Sequence, residues 1–287
     1  MTECNTRVAF ATCSAIPDGW VDDHEAARLL RADFRVWDDP EVDWSEYDRV
    51  VLRSVWDYSW RLDEFLAWCD AVGEARLRNA RGLVAFSADK RYLADISVPS
   101  VPTSFVAPGD ALQGVNGEVV VKPNVSAGAR DTGRFSSATA ALALIEQIHG
   151  SGRLALVQPY LSAVDLRGET AVVFIGGEIS HFLVKRAVLR GEGTAPVADG
   201  ELRLAAAMLD DDLVVAGTAG GTEIAVAEAA HAELSARFGI PLYARIDLVH
   251  DDEGSPLVSE LEVIEPCLYL GTAAGAAQRL ADAVRAS

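Results

Sequence analysis

The stretch "YARIDLVHDDEGSPLVSELEVIEP", residues 243–266, constrains this chain more than any other. Two apolar-rich runs flank the turn-forming "HDDEGSP", so the segment reads as a strand, a turn and an antiparallel return. Side chains two apart on a strand share a face. Arg245 and Asp247 therefore lie together on the first strand, and Glu260 and Glu262 on the second, while Leu261 and Val263 point the other way. The return can bring Asp247 across from the two glutamates. Carboxylates that close either raise a pKa or need a cation between them. Mg²⁺ is a hard cation that takes a few carboxylates together with phosphate oxygens and waters, and it suits such a face. The same spacing also fits a solvated edge hairpin in an acidic protein, with Arg245 paired to a neighbour.

At 287 residues, half of them hydrophobic, the chain has the length of about two domains. No apolar run approaches the roughly 18 residues of a membrane span. The start "MTECNTRVAFATCSA" lacks the basic flank and long apolar stretch of a signal peptide, which places the protein in the cytoplasm. Cys4, Cys13, Cys69 and Cys267 are scattered without C-x-x-C pairing and read as reduced thiols rather than a disulfide framework or zinc site. His24, His149, His181, His231 and His250 show no metal-ligand spacing. With 43 acidic against 25 basic side chains, a formal charge of −18, the field repels a phosphate backbone. No basic block with interleaved aromatics offsets it, so nucleic acid is not expected as a partner. The same field disfavours ATP, so a nucleotide site would need a local cluster of Lys, Arg and metal. The P-loop, Rossmann and G-x-S-x-G signatures are all missing.

Along the chain, "RVAFATC", "DDHEAARLLRADF" and "RVVLRS" read as strand, helix and strand, with Asp22 or Asp23 as helix N-cap. After the loop "VWDYSW", the helix "LDEFLAWCDAVG" stops at Gly73. In "SADKRYLADISVPSVPTSFV", Ser87 can cap a short helix carrying Lys90, ended by Pro99 and Pro102. "GEVVVKPNVSAGARDTGRF" is a strand ending at Lys122 followed by a small-residue loop expected to be mobile. "LALVQPYL" is a further strand. "ETAVVFIGGEISHFLVKR" is a hairpin around Gly176 and Gly177 that ends at Lys185. Residues 187–222 are mixed, with a helix near "RLAAAM" and a mobile loop. The helix "VAEAAHAELSARFG" precedes the acidic hairpin, and "GTAAGAAQRLADAVRA" closes the chain. An ammonium suits phosphate as a point charge, yet Lys90, Lys122 and Lys185 taken singly read equally well as surface lysines.

Taken in order, "NARGLVAFSADKRYLADISVPSVPT", "VVVKPNVSAGARDTG", "LVQPYL" and "ARIDLV…LVSELEVIEP" resemble the ATP-grasp superfamily of ligases from about Asn79 onward. The resemblance implies an α/β (α+β) chain with the ATP-grasp fold. An N-terminal open α/β (pre-ATP-grasp) domain would span 1–86, a small ATP-grasp subdomain 87–157, and a C-terminal subdomain with the metal site 158–287. It makes Asp247, Glu260 and Glu262 the ligands of Mg²⁺, two ions in all. Arg245 and Lys185 become the catalytic cations, Lys90 and Lys122 the holders of the α- and β-phosphates of ATP. Gln158, Tyr160 and Leu161 would border adenine, with Glu169, or else Asp165, at the ribose.

"LRSVWDYSWRLDEFLAWC", "GEISHFLVKR" and "ELEVIEP" look like the branch containing cycloserine synthetase, the O-ureido-serine cyclo-ligase, together with RimK-like and glutathione-synthetase-like ligases. Residues 187–222 depart from that branch. The implied function is a carboxylate–amine ligase that works through an acyl phosphate on a small amino-acid-like substrate. Arg53 would take a carboxylate, and Trp56, Asp57 and Tyr58 would give shape and an amine contact, although Trp56 and Tyr58 also suit plain packing. A RimK-like peptide-modifying ligase and a non-catalytic ATP-binding module are the alternatives. A homodimer is compatible with the family, and nothing in the sequence requires one.

Overall fold

The apolar run at the start forms β1 (Val8–Thr12), buried at every residue as a strand covered on both faces should be. These coordinates are a computed structural model that describes residues 6–111 and 116–287, so Cys4 lies outside the described residues. α1 (His24–Leu30) follows a 3-10 turn over Val21–Asp23. The expected helix over "ADF" does not form, because Arg31 turns left-handed and β2 (Asp33–Val36) begins. β2 is four half-buried residues long, too short and too even to show a period. Asp23 sits at the N-cap position of α1 without capping it, because its carboxylate accepts from Arg53. β3 (Arg49–Ser54) and α2 (Leu62–Val72), which stops at Gly73, fall where the sequence placed them. β4 (Leu77–Arg78) completes a parallel sheet in the order β2-β1-β3-β4.

α3 (Arg81–Ala88) contains Ser87, which is not a cap: its hydroxyl donates to the Leu261 carbonyl at 2.8 Å. Lys90 opens a 3-10 turn over Lys90–Ala94 that Asp89 caps instead. Next come β5 (Ser104–Val106), β6 (Val119–Pro123), β7 (Gly133–Phe135), α4 (Leu142–Gly150) and β8 (Ala155–Pro159). The short α5 (Ala163–Arg167) leads into the hairpin β9 (Glu169–Ile175) and β10 (Glu178–Lys185). Its turn glycines Gly176 and Gly177 have φ of 63° and 90°, the left-handed region that glycine enters without a Cβ clash. β11 (Gly193–Thr194) and β12 (Val214–Ala216) lie in the stretch that was hard to read, where "RLAAAM" gives only a 3-10 turn over Ala206–Leu209. α6 (Gly221–Phe238), β13 (Tyr243–His250), β14 (Pro256–Glu262) and α7 (Ala276–Ala286) finish the chain. None of the described helices is long and apolar enough to cross a membrane.

Two five-stranded antiparallel sheets result, in the orders β11-β7-β6-β8-β5 and β12-β10-β9-β13-β14. The N-terminal sheet is joined closely to the last of them. One core cluster runs from Ala9, Leu52 and Phe65 through Leu83 and Val84 to Leu234, Ile246 and Leu261. A boundary at residue 86 thus falls inside α3 and across a continuous core. Two buried polar groups fasten the join. Arg53 Nε donates to Asp23 at 2.8 Å and Arg53 Nη2 to the Pro266 carbonyl at 2.9 Å, over the Tyr243 ring. Asn79 donates to the carbonyls of Tyr243 (2.9 Å) and Val263 (2.8 Å) and accepts from the Leu242 N–H at 2.6 Å.

Replacing Asn79 by Ala would strand one buried N–H and two carbonyls. At about 1 kcal/mol or more for each group left unpaired, the Asn79→Ala variant should lose about 3 kcal/mol, read as a lower urea midpoint at unchanged m-value.

Candidate active site

The antiparallel register of β13 and β14 sets Arg245 opposite Glu262 and Asp247 opposite Glu260. Partnered residues of a ladder share a face, so these four charges form one patch. On the neighbouring hairpin Glu169 pairs with Lys185, and the Lys185 ammonium bonds both Glu169 (3.1 Å) and Asp247. Lys122, at the end of β6, donates to Glu260 at 2.8 Å, and Lys90 donates to the Ser126 carbonyl at 2.9 Å. Arg245 grips Asp247 with Nε (2.8 Å) and Nη2 (2.9 Å), meets Glu262 at 2.7 Å and donates from Nη1 to the Cys267 carbonyl at 2.9 Å.

A cavity of about 950 Å³ opens over this patch. It is lined by Lys90, Lys122, Lys185, Arg245, Glu169, Glu260 and Glu262 on the charged side. Gln158, Tyr160 and Leu161 form a second wall with apolar Val120 and Val164 beside them, where Gln158 donates to Thr103 at 2.9 Å and Tyr160 lies under the Arg134 guanidinium. Asp165 is tied to Tyr160 and Arg134 and does not line the cavity. Acidic and aromatic residues complete the lining: Trp20, Asp22, Trp56, Tyr58, Glu265 and Tyr269. Asp22 Oδ2 is buried there without a hydrogen-bond partner.

Three expectations need correction. Arg53 is held by Asp23, Pro266 and Tyr243 through Nε, Nη2 and its guanidinium face and does not line the cavity, because a buried guanidinium takes the carboxylate its own fold supplies. Asp57 likewise turns inward and accepts from Trp37 Nε1 at 2.9 Å. The carboxylate triad is split. Glu260 and Glu262 keep 26 % and 28 % of their side chains exposed, whereas Asp247 is wholly buried with both oxygens taken by Arg245 and Lys185. Trp20, Asp22 and Ser126 were not anticipated. Trp20 and Asp22 carried no signal beyond the helix-start pattern "WVDD", and Ser126 none beyond the small-residue loop.

The titration behaviour follows the geometry. Burial pushes Glu262 up to about 8; Arg245 opposes this, and Asp247 and Glu260 add to it. Burial also acts on Glu260 and Asp247, but Lys122 and Lys90 outweigh it at Glu260, and Arg245 and Lys185 at Asp247, so both carboxyls are held below the usual range. Burial raises Glu265 to about 7 against Lys90 and Arg130.

The donor set fits Mg²⁺. Glu260 and Glu262 present hard oxygens to the cavity, and the raised Glu262 carboxyl marks a place with too little positive charge. Among the described residues no three His, Cys, Asp or Glu side chains form a preformed cage. Mg²⁺ does not ask for one, since it binds through one or two carboxylates plus phosphate oxygens and water.

A model of the D-cycloserine synthetase DcsG N-terminal domain matches residues 8–79. Cycloserine biosynthesis protein DcsG of Streptomyces lavendulae is 38% identical over 279 residues, 91% of this chain and 90% of that protein. The chain belongs to the D-cycloserine synthetase family. The crystal structure of D-cycloserine synthetase DcsG matches with a TM-score of 0.83 at 33% identity, covering 96% of this chain and 98% of that one. D-alanine–D-alanine ligase from Bacillus anthracis, complexed with ATP, matches with a TM-score of 0.62 at 12% identity over 98% and 96% of the two chains, a likeness of fold alone. This member of the D-cycloserine synthetase family thus has the ATP-grasp fold, and its class is that of the ATP-dependent ligases.

In the family member described here, Glu262 titrates higher in the folded chain (about 8) than in the unfolded one, whose carboxylates titrate near the ordinary 4.5. The folded state therefore holds a proton that the unfolded state releases, and the contribution of Glu262 to stability falls as pH rises from about 4.5 to 8. Relative to wild type, Glu262→Gln should gain unfolding free energy steadily over that window, at no more than about 1.4 kcal/mol per pH unit. Urea melts of both proteins at a series of pH values check this, and a pH-independent difference would refute it.

Proposed function

We propose that this protein is an ATP-dependent carboxylate–amine ligase that activates a free amino acid as its acyl phosphate and closes an amide-type bond, in the manner of a cycloserine-synthetase-like cyclo-ligase. The observation that carries this reading is the charge layout of one cavity. Lys90, Lys122, Lys185 and Arg245 line it together with the carboxylates of Asp22 and Glu265 and with Trp20 and Trp56. An amino-acid zwitterion would turn its carboxylate toward the cations and its ammonium toward Asp22 or Glu265. Trp20 and Trp56, with ring centroids 5.1 Å apart, give the cavity apolar walls suited to a small molecule.

On this reading the adenine lies along Gln158, Tyr160 and Leu161, the ribose near Glu169, and the phosphates run toward Lys90 and Lys122. A substrate carboxylate oxygen attacks the γ-phosphorus, ADP leaves, and a nitrogen of the substrate then displaces phosphate from the acyl carbon. A nitrogen on the same molecule closes a ring. Arg245 and Lys185 stabilise the charge that develops on the transferred group, and the chain supplies positioning and electrostatics rather than covalent chemistry. Glu260 and Glu262, with Asp247 behind them, would hold Mg²⁺, which when bound neutralises phosphate oxygens. The loop over Ser126–Thr132 keeps water from the acyl phosphate.

Release of ADP and phosphate with Mg²⁺-ATP should be stimulated by free amino acids that carry a side-chain nitrogen nucleophile, O-ureido-serine among them, with a cyclised product in the mass spectrum. Stimulation by peptides alone would favour a peptide-modifying ligase, and ATP binding without stimulated release would favour a binding module. Glu260→Gln should lower product formation by about 100-fold or more while the protein stays folded. Asp22→Asn should raise KM for the amino acid about 10-fold, the worth of a charge-assisted hydrogen bond, and leave KM for ATP unchanged.

A further inference from the structure

The small-residue loop between β6 and β7, expected to be mobile, meets the molecule on both sides. Ser126, Ala127, Gly128, Ala129 and Thr132 face the cavity, whereas Arg130 points away from it and is 4 % exposed. Its Nη2 donates to the Trp56 carbonyl at 2.9 Å and to the Ser59 hydroxyl, both on the N-terminal unit. Its Nη1 donates to the Leu202 carbonyl at 2.8 Å, on the segment beyond β11. The Trp60 ring covers the guanidinium at 4.0 Å. Ala129 and Asp131 on either side have φ of 53° and 50°, a left-handed backbone that non-glycine residues keep only when their surroundings hold them there. The loop carbonyls of Gly128 and Thr132 accept from the backbone N–H groups of Ala205 (3.0 Å) and Ala195 (2.8 Å).

We propose that Arg130 is a positioning residue that makes closure of the phosphate-side loop conditional on the substrate-side segment 56–59, so that ATP is consumed only when the amino acid is seated. The proposal rests on the ligase reading above. Trp56 is the link: its ring lines the cavity, its Nε1 donates to the Glu265 carbonyl at 3.1 Å, and its own carbonyl is held by Arg130. A substrate packed on the Trp56 ring fixes that carbonyl, and through the guanidinium it fixes Ala129 and Gly128 on the opposite wall. Coupling of this kind is reciprocal, so ATP and the amino acid must each tighten the binding of the other. Without the latch the loop opens independently and water enters. ATP is then hydrolysed to ADP and phosphate with no product formed.

Arg130→Lys tests this, because an ammonium keeps the charge but cannot reach three acceptors in the plane of a fork. In wild type, a non-hydrolysable ATP analogue should bind about 5-fold or more tightly when the amino acid is present, measured by calorimetry, and one ADP should appear per product. In Arg130→Lys the two analogue affinities should converge to within about 2-fold, and ADP per product should rise severalfold, at a melting temperature close to that of wild type. Ser59→Ala, which removes one acceptor outside the cavity, should move both readouts in the same direction by less. It stands in should Arg130→Lys fail to fold. Intact coupling in the variant that folds, with a lower kcat or a lower melting temperature as the sole change, overturns the latch. Wild type that makes no product from any amino acid overturns the ligase reading instead, so the two failures are distinguishable.

Discussion

Compensation of buried charge on the β13–β14 hairpin is the constraint that organises the site. Asp247 is wholly buried, and an uncompensated carboxylate there would cost several kcal/mol. Arg245 reaches it from two residues away on the same strand, and Lys185 from β10 across the whole of β9. That span of two strand spacings is open because the β9 residue opposite Asp247 is Ala171, whose methyl leaves the ammonium room to pass. Once Asp247 takes both cations, Glu260 and Glu262 are left to face the cavity with Lys122 and one edge of Arg245. The strand order β10-β9-β13-β14 therefore does more than build a sheet, since it fixes which carboxylates are closed off and which remain open.

The other two sheets serve that patch. The middle sheet brings Lys122 at the end of β6 and Gln158 on β8 to the opposite wall, and the loop after β6 roofs the space between. The N-terminal parallel sheet contributes no charged ligand of its own to the cavity through Arg53. Its strut of Arg53, Asp23 and Tyr243 holds Trp56 and the 3-10 turn with Asp22 against the cavity. A continuous apolar core from Phe65 to Leu261 makes this placement rigid, so the position of Trp56 and Asp22 in the cavity wall is set by packing rather than by a flexible linker.

Period-two spacing showed which side chains share a face of each hairpin strand, but the pairing of Asp247 with Glu260 depends on a register that the bulge after Asp247 helps set. The Gly176–Gly177 turn and α2 with its stop at Gly73 were legible because their local chemistry and their tertiary role agree. What was illegible depended on partners far away in sequence. Arg53 lies at the end of a strand and Asp57 in the polar, aromatic loop after it, a junction that looks like a ligand site, and only the fold reveals Asp23 and Trp37 as their partners. Ser87 reads as a cap until the carbonyl of Leu261, 174 residues on, accepts its hydrogen bond. That Asp247 is closed and Glu262 open cannot be read from spacing, since both sit on the same face.

The overall charge of −18 does not stand in the way of a nucleotide in this cavity. At physiological ionic strength, charges more than about 8 Å apart are largely screened, so the balance is decided by groups lining the site. There every cation except Lys90 is already matched to a carboxylate: Lys122 to Glu260, Lys185 to Glu169 and Asp247, Arg245 to Asp247 and Glu262. An anion arriving alone must take Lys122 from Glu260 and leave that carboxylate without its cation. Were a divalent ion to accompany the anion, Glu260 and Glu262 would hold it in place of Lys122, so neither carboxylate would be left without a cation. On the proposed reading, the carboxylates of β14 thus discriminate by charge balance, favouring the metal complex of a triphosphate over the free anion.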